Sequence, residues 1–134
     1  MLMPAAVLIF LVLGAICVDF GGAYLAQREL SNAAAAAAND AASQAIDLPY
    51  FYETGEVRLL ESVARRIAER SVEAKGLDRL DAHVVDVVIS ADGTRVQVVV
   101  AGRSSYLFAI AVPGGRDHVD IETSSEAEAA EIGS

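Results

Sequence analysis

Two histidines, one cysteine and an aspartate set inside an apolar run are the residues of this chain whose types invite a chemical role. His83 and His118 each fall in a segment of β-strand character, with Asp117 and Asp120 beside the second. Imidazole and carboxylate together are metal-ligand chemistry. Isolated histidines at strand ends are more often solvent-facing or hydrogen-bonded, so no metal site is expected. Asp78 with Asp81, and Glu126 with Glu128, lack any neighbour that would raise a carboxyl pKa toward general-acid work, and read as solvated surface. The acidic C-terminal run lacks the ligand spacing of an EF-hand loop. There is no G-x-S-x-G, no H-E-x-x-H and no phosphate-binding glycine loop. The expectation is a chain that is not an enzyme, with no cofactor, no metal and no small-molecule substrate.

Cys17 is the sole cysteine, so no internal disulfide can form. It follows Ile16 rather than a small residue and has no basic residue upstream. That disfavours lipidation, and Cys17 is read as a small apolar packing residue. Asp19 is different. A carboxylate at the end of an apolar run is costly unless it reaches the interface or a partner. It either marks the membrane boundary or contacts a neighbouring subunit or assembly factor.

The elements that position these residues begin with the run itself. Met1–Val18 contains no charge, and the apolar texture continues to Ala26. About 18 or more such residues suffice for a helix to cross a ~30 Å hydrocarbon core. Residues 1–26 are therefore expected to be a transmembrane segment in contact with lipid. The run lacks the basic leader of a secretory signal peptide and is longer than its apolar core; cleavage near Ala23–Ala26 is the alternative. Only Arg28 lies close to either end, so charge does not encode orientation. Net charge is −9, and after residue 26 eighteen acidic residues face ten basic ones. Such a domain repels phosphate backbones, and no nucleic-acid partner is expected.

Pro4 suits the first turn of a helix, and nothing breaks the pattern until about Asp47. Nine alanines fall between Ala33 and Ala45, and alanine has the highest helix propensity. One helix of ~40 residues, ~60 Å long, would leave the bilayer near Tyr24. Residues 27–48 would then form an Ala-rich stalk whose small side chains admit other helices; a plain spacer is the alternative. Pro49 is expected to break the helix, with Tyr50, Phe51 and Tyr52 packing the following domain against the stalk or lying at the membrane surface. A second, amphipathic helix is expected from Gly55 to Lys75, capped by Thr54 and stopped by Gly76. Val57, Leu60, Val63, Ala64, Ile67, Ala68 and Val72 would be its apolar face, and Glu61–Arg65 an i,i+4 pair. Asp92-Gly93 between two Val-rich runs is a hairpin signal. A two-residue loop would pair Ala91 with Thr94, Ile89 with Val96, Val87 with Val98 and Val85 with Val100. Ser104–Val112 is apolar and ends at the turn Pro113-Gly114-Gly115. His118–Ser124 alternates as a third strand. The fold class is thus α+β: a long N-terminal helix, a second amphipathic helix and a small antiparallel sheet of about three strands, pilin-like. Residues 49–124 would be the small α+β domain, and 125–134 an acidic flexible tail.

The segment Val18–Asp47, VDFGGAYLAQRELSNAAAAAANDAASQAID, resembles the N-terminal part of TadE/TadG-like proteins of the Flp (tight-adherence) pilus system. The positions that carry the resemblance are Asp19, Gly21, Tyr24, Arg28, Leu30, Asn32 and Ala33–Ala38. It implies a structural, minor-pilin-like or assembly component. That component would be held in the cell membrane by a single pass, with its C-terminal domain outside the cytoplasm. Its partners would be pilins and inner-membrane pilus-assembly or secretion proteins, met through the N-terminal helix. Asp19, Gly21, Tyr24, Arg28 and Asn32 are the expected membrane-span and assembly contacts. The apolar run shows no prepilin-peptidase leader and no glutamate near its start. A membrane-retained assembly factor and a gene start placed too late both explain that. The competing class is a single-pass membrane-tethered binding or sensing module with an exposed patch at Tyr106–Phe108.

Overall fold

A computed structural model describes residues 3–108 and 117–129. The first element, α1, is one unbroken helix over Met3–Gln44. A short helix α2 (Leu48–Thr54) and a longer α3 (Glu61–Ala74) follow. A single 3-10 turn at Asp78–Leu80 leads into β1 (His83–Ile89), β2 (Arg95–Ser105) and β3 (His118–Glu128). The three strands form one antiparallel sheet in the order β1-β2-β3. The α+β class holds.

Side chains alternate across a strand, and the two faces of this sheet differ accordingly. Val87, Val96, Val98 and Val100 point into the core and are fully buried. Burying a Val, Leu or Ile side chain contributes about 1.5–3 kcal/mol. The other face carries Arg95, Gln97 and Arg103 beside Glu126, Glu122 and Asp120 and stays exposed. On it Arg95 meets Glu126 at 3.5 Å and Arg103 meets Asp120 at 2.8 Å.

Two helices cover the apolar face. The C-terminal half of α1 lies over β2 and β3, and α3 lies beside it over β1. Ala34, Ala37, Ala38, Ala41, Ala42 and Ala45 of the α1 side pack against Ala64, Ala68 and Val72 of α3 and the valines of the sheet. The alanine stretch expected to be a stalk bared to foreign helices is therefore the middle of this chain's own core. Small side chains serve close approach here as foreseen, but the close neighbours are α3 and the sheet. The N-terminal half is the opposite case. From Met3 to Val18 every residue except the half-buried Ala15 is exposed.

Several local expectations are corrected. The long helix ends at Gln44, ahead of Pro49, because Ile46 leaves it to bridge Leu59. Pro49 instead sits in the first turn of α2, where its missing N–H is harmless. The second major helix begins at Glu61 rather than Gly55. Residues 57–60 run extended, tied by Asp47 N–H to the Arg58 carbonyl and Leu60 N–H to the Ala45 carbonyl, both at 2.8 Å. Val57 and Leu60 thus lie outside α3; Leu59 is buried, Val57 is half-buried against the core, and Leu60 is exposed. Thr54 does not cap α3: its hydroxyl donates back to the Tyr50 carbonyl at 2.8 Å and accepts the Glu56 N–H at 3.2 Å. The helix does stop at Gly76, whose N–H bonds the Glu73 carbonyl. Arg65 pairs across to Asp86 on β1 at 3.2 Å rather than with Glu61.

The hairpin register is as expected at Ile89–Val96 and Val87–Val98. A bulge between Val84 and Asp86 then pairs Val84, not Val85, with Val100 and turns Val85 out to solvent. The loop is closed by Ser90 N–H to the Arg95 carbonyl at 3.0 Å and by Gly93 N–H to the Ser90 carbonyl at 2.9 Å. It turns over Ala91-Asp92, with Gly93 at φ 75°, and Ala91 and Thr94 form no ladder pair. Ser104 and Ser105 belong to β2; Ala109–Val112 and the turn Pro113-Gly114-Gly115 lie outside the described residues. β3 runs on through Ser125–Glu128, paired with β2, so this part of the acidic tail is strand. Ala129 follows, buried, with its N–H on the Thr94 carbonyl at 2.8 Å, and 130–134 lie outside the described residues.

Candidate assembly surface on the N-terminal helix

Successive residues of an α-helix are rotated by ~100°, which divides α1 lengthwise. One stripe, Ala15, Asp19, Ala23, Ala26, Leu30, Ala33, Ala34, Ala37 and Ala41, is half-buried or buried and faces the head. Gly21, Tyr24, Arg28 and Asn32 follow the i, i+3, i+7, i+11 spacing that keeps them on the opposite side, and all four are exposed. Tyr24 retains 66% of its surface. Among the described residues outside the helix's own nearby backbone, a Cβ placed on Gly14, Gly21 or Gly22 meets nothing within 4 Å. The outer side of the helix therefore has small-residue gaps at Gly14, Gly21 and Gly22 where a backbone could approach closely, with exposed Tyr24, Leu25, Arg28 and Asn32 beyond them.

Asp19 is the residue of the five that turns inward. Its carboxylate accepts the backbone N–H of Leu107 at 2.9 Å and of Phe108 at 3.1 Å, from the loop that follows β2. The Tyr106 N–H to Asp117 carbonyl bond, 2.9 Å, closes the base of that loop. Leu107 and Phe108 themselves stay 72% and 48% exposed. The carboxylate in the apolar run thus has donors from its own head, 88 residues away in sequence. The sequence signal was the unfavourable placement of the charge; which donors answered it could not be read from spacing.

Below the stripe the joint between helix and head rests on Asp47. It caps α2 by accepting from Tyr50 N–H at 3.2 Å, and it accepts from Arg58 at 2.7 Å. The Arg58 guanidinium also stacks over the Tyr50 ring, 4.1 Å from its centre. The Arg58 hydrogen bond, helped by the Tyr50 N–H, holds the Asp47 carboxyl below its usual range. Asp47 was read only as part of a helix break, yet Asp followed by Leu-Pro is an N-cap signature. Of the adjacent aromatics, Tyr52 is fully out in solvent at 81% exposure. In the hairpin loop, the Ser90 hydroxyl and Thr94 N–H donate to Asp92 and push its carboxyl far down.

The residues with catalytic or ligating potential are dispersed. His83 on β1 sits opposite Ala101, and His118 on β3 sits opposite Ser105. His83 Nδ1 lies 3.1 Å from the Asp81 carbonyl, and His118 Nδ1 lies 2.5 Å from Asp117. Among the described residues no three His, Cys, Asp or Glu side chains converge as a metal site would require. An open groove of about 390 Å³ between α1 and α3 is lined by Asp40, Arg70, Ser71 and Lys75 among others. Its aspartate is already engaged by the Ser71 hydroxyl at 2.6 Å.

By length and composition α1 is a candidate membrane span. No curated protein and no solved structure matches the chain. Residues 1–44, which take in all of α1 with Asp19 and the strip from Gly21 to Asn32, match the family model for Flp pilus-assembly TadE/G-like proteins.

Proposed function

We propose that this protein is a membrane-anchored, non-enzymatic assembly component of a Flp/Tad-type pilus or related secretion system, minor-pilin-like in build. The family match over residues 1–44 supports a pilus-assembly role. The observation that carries the rest is the lengthwise division of α1. Its N-terminal part is apolar and bare, as a span in lipid requires. Its C-terminal part gives one side to the head and leaves the other open. In this reading the apolar run crosses the cell membrane once, and the head stands outside the cytoplasm. The open strip of Gly21, Tyr24, Arg28 and Asn32 meets a helix of a pilin or of an inner-membrane assembly protein. Glycines give that contact backbone proximity, and Arg28 and Asn32 supply hydrogen bonds just beyond the bilayer.

Site-directed crosslinking in cells tests the proposal. Arg28→Cys and Asn32→Cys, in a Cys17→Ala background, are expected to form adducts with pilins or assembly proteins. Tyr52→Cys, on the exposed face of α2, is the control and is expected to form none. Monomer alone from Arg28→Cys and Asn32→Cys would overturn the assignment, as would unchanged pili and adhesion after deletion of the gene.

A further inference from the structure

The start of the β2–β3 loop is held against α1 at the level where the apolar run meets its first charge. Asp19 is that charge, and its carboxylate receives the N–H groups of Leu107 and Phe108. The next charge along the helix is Arg28, roughly 13 Å further on at 1.5 Å per residue. Between them Phe20 and Tyr24 project into solvent. Exposed aromatics between an uncharged span and its first cation are the pattern of a membrane–water interface. Leu107 and Phe108 stand beside that zone, pinned by their backbone and with their side chains uncovered.

We propose that Leu107 and Phe108 seat in the interfacial region of the bilayer, making the head a second membrane contact beside the anchor helix. The proposal rests on α1 spanning the membrane. Its occupant is lipid, because the patch is continuous with the uncharged, exposed surface of α1. Asp19 makes the seat workable. Backbone N–H groups at this depth lose their water and need an acceptor, and a carboxylate at this depth needs donors; each meets the other's requirement. Two membrane contacts, tied to each other through the Asp19 hydrogen bonds, would set the tilt of the head, so the outer strip of α1 faces along the membrane plane toward neighbouring proteins.

The test uses the full chain in phosphatidylcholine vesicles, with a fluorescent probe on a single introduced cysteine in the Cys17→Ala background. Positions are Leu107→Cys, Phe108→Cys, Phe10→Cys and Tyr52→Cys. Probes at 107 and 108 are expected to lose fluorescence to lipid-borne nitroxides, as the probe at 10 does. The probe at 52 should lose it only to aqueous iodide. Asp19→Ala should return the 107 probe to iodide while the 10 probe is unchanged. If 10 is lipid-quenched and 107 and 108 are water-quenched, the loop contact is wrong and the anchor stands. If 10 is also water-quenched, anchor and loop contact fall together. A 107 probe reached by neither quencher would place protein against the loop and overturn the proposal too.

Discussion

Leu30 of α1 lies directly on the bare backbone of Gly102 in β2: a Cβ built on Gly102 would come within 3.1 Å of Leu30 Cδ1 and 3.0 Å of the Leu80 carbonyl oxygen. Leu30 is the largest side chain of α1 to be fully buried, and it can enter the sheet face because Gly102 leaves the space. Gly102→Ala is expected to destabilise the detergent-solubilised protein by about 1–3 kcal/mol, the usual cost of forcing extra volume into a packed core. Leu30→Ala alone should cost about 2–5 kcal/mol. Combined, the two should fall short of their sum, since the leucine methyl can no longer clash, while the Leu80 carbonyl still does. Denaturant melts of the four proteins give the coupling, and strict additivity would refute the contact.

The alanines of α1 make a second, sharper claim. Ala37 has no exposed surface, whereas Asn32 and Ser31 on the same helix are exposed. Ala37→Leu should therefore destabilise the isolated protein by about 1–3 kcal/mol. Ser31→Leu, a similar gain in size, should stay within about 0.5 kcal/mol. If Ala37 faced only a foreign helix, the isolated protein would tolerate both changes equally, and thermal melts would show it.

These cases mark where the sequence is informative. Charge depletion over Met1–Val18, the i,i+4 recurrence of Ala64, Ala68 and Val72, and alternation in Val96, Val98 and Val100 each report one element's own geometry, and each element is there. What an element packs against is a tertiary fact. A strip of alanines suits any close neighbour, so Ala34–Ala45 read equally well as a stalk for other helices and as the floor of this chain's own core. The bulge at Val85 was hidden for a related reason: inserting one residue leaves the run of valines looking regular while reversing the faces beyond it. Asp19 was legible as a charge in need of partners, but Leu107 and Phe108 carry no side-chain signal of donating, because the donors are backbone. The strip of Gly21, Tyr24, Arg28 and Asn32 entered through family resemblance, and its common outer face follows from helical rotation alone.

Acid should reveal the joint at Asp47. Its carboxyl titrates below its ordinary value of 3.8 in the folded chain, chiefly through Arg58 and then the Tyr50 N–H. A lowered native pKa means that the unfolded chain binds the proton more readily. The resulting stability is present above the unfolded pKa and is lost as pH falls through the depressed native value. Asp47→Asn keeps an N-cap acceptor but loses the charge facing Arg58. It should be less stable than the parent at pH 7, and the gap should shrink as pH falls below about 4, where the unfolded carboxylate takes up its proton, and close below the depressed native value. Guanidinium melts at pH 7 and pH 3 check this; an equal gap at both would assign the loss to the cap rather than the ion pair.

The strip on the outer side of α1 should separate assembly from folding. Among the described residues, apart from the helix's own nearby backbone, nothing lies within 4 Å of a Cβ on Gly21, and Asn32 is exposed, so Gly21→Leu and Asn32→Leu disturb no packing seen there. Each should leave the melt of the detergent-solubilised protein within about 0.5 kcal/mol. In cells the same changes add bulk where a neighbouring helix would approach closely, and small residues are what allow such approach. Pilus number should then drop, although the protein accumulates and fractionates with the membrane as the parent does. Ala37→Leu should lower both the melt and the amount of protein. A drop in pili that tracked stability across all three variants would make the strip irrelevant. Normal pili with Gly21→Leu and Asn32→Leu would move the partner contact off this face of the helix.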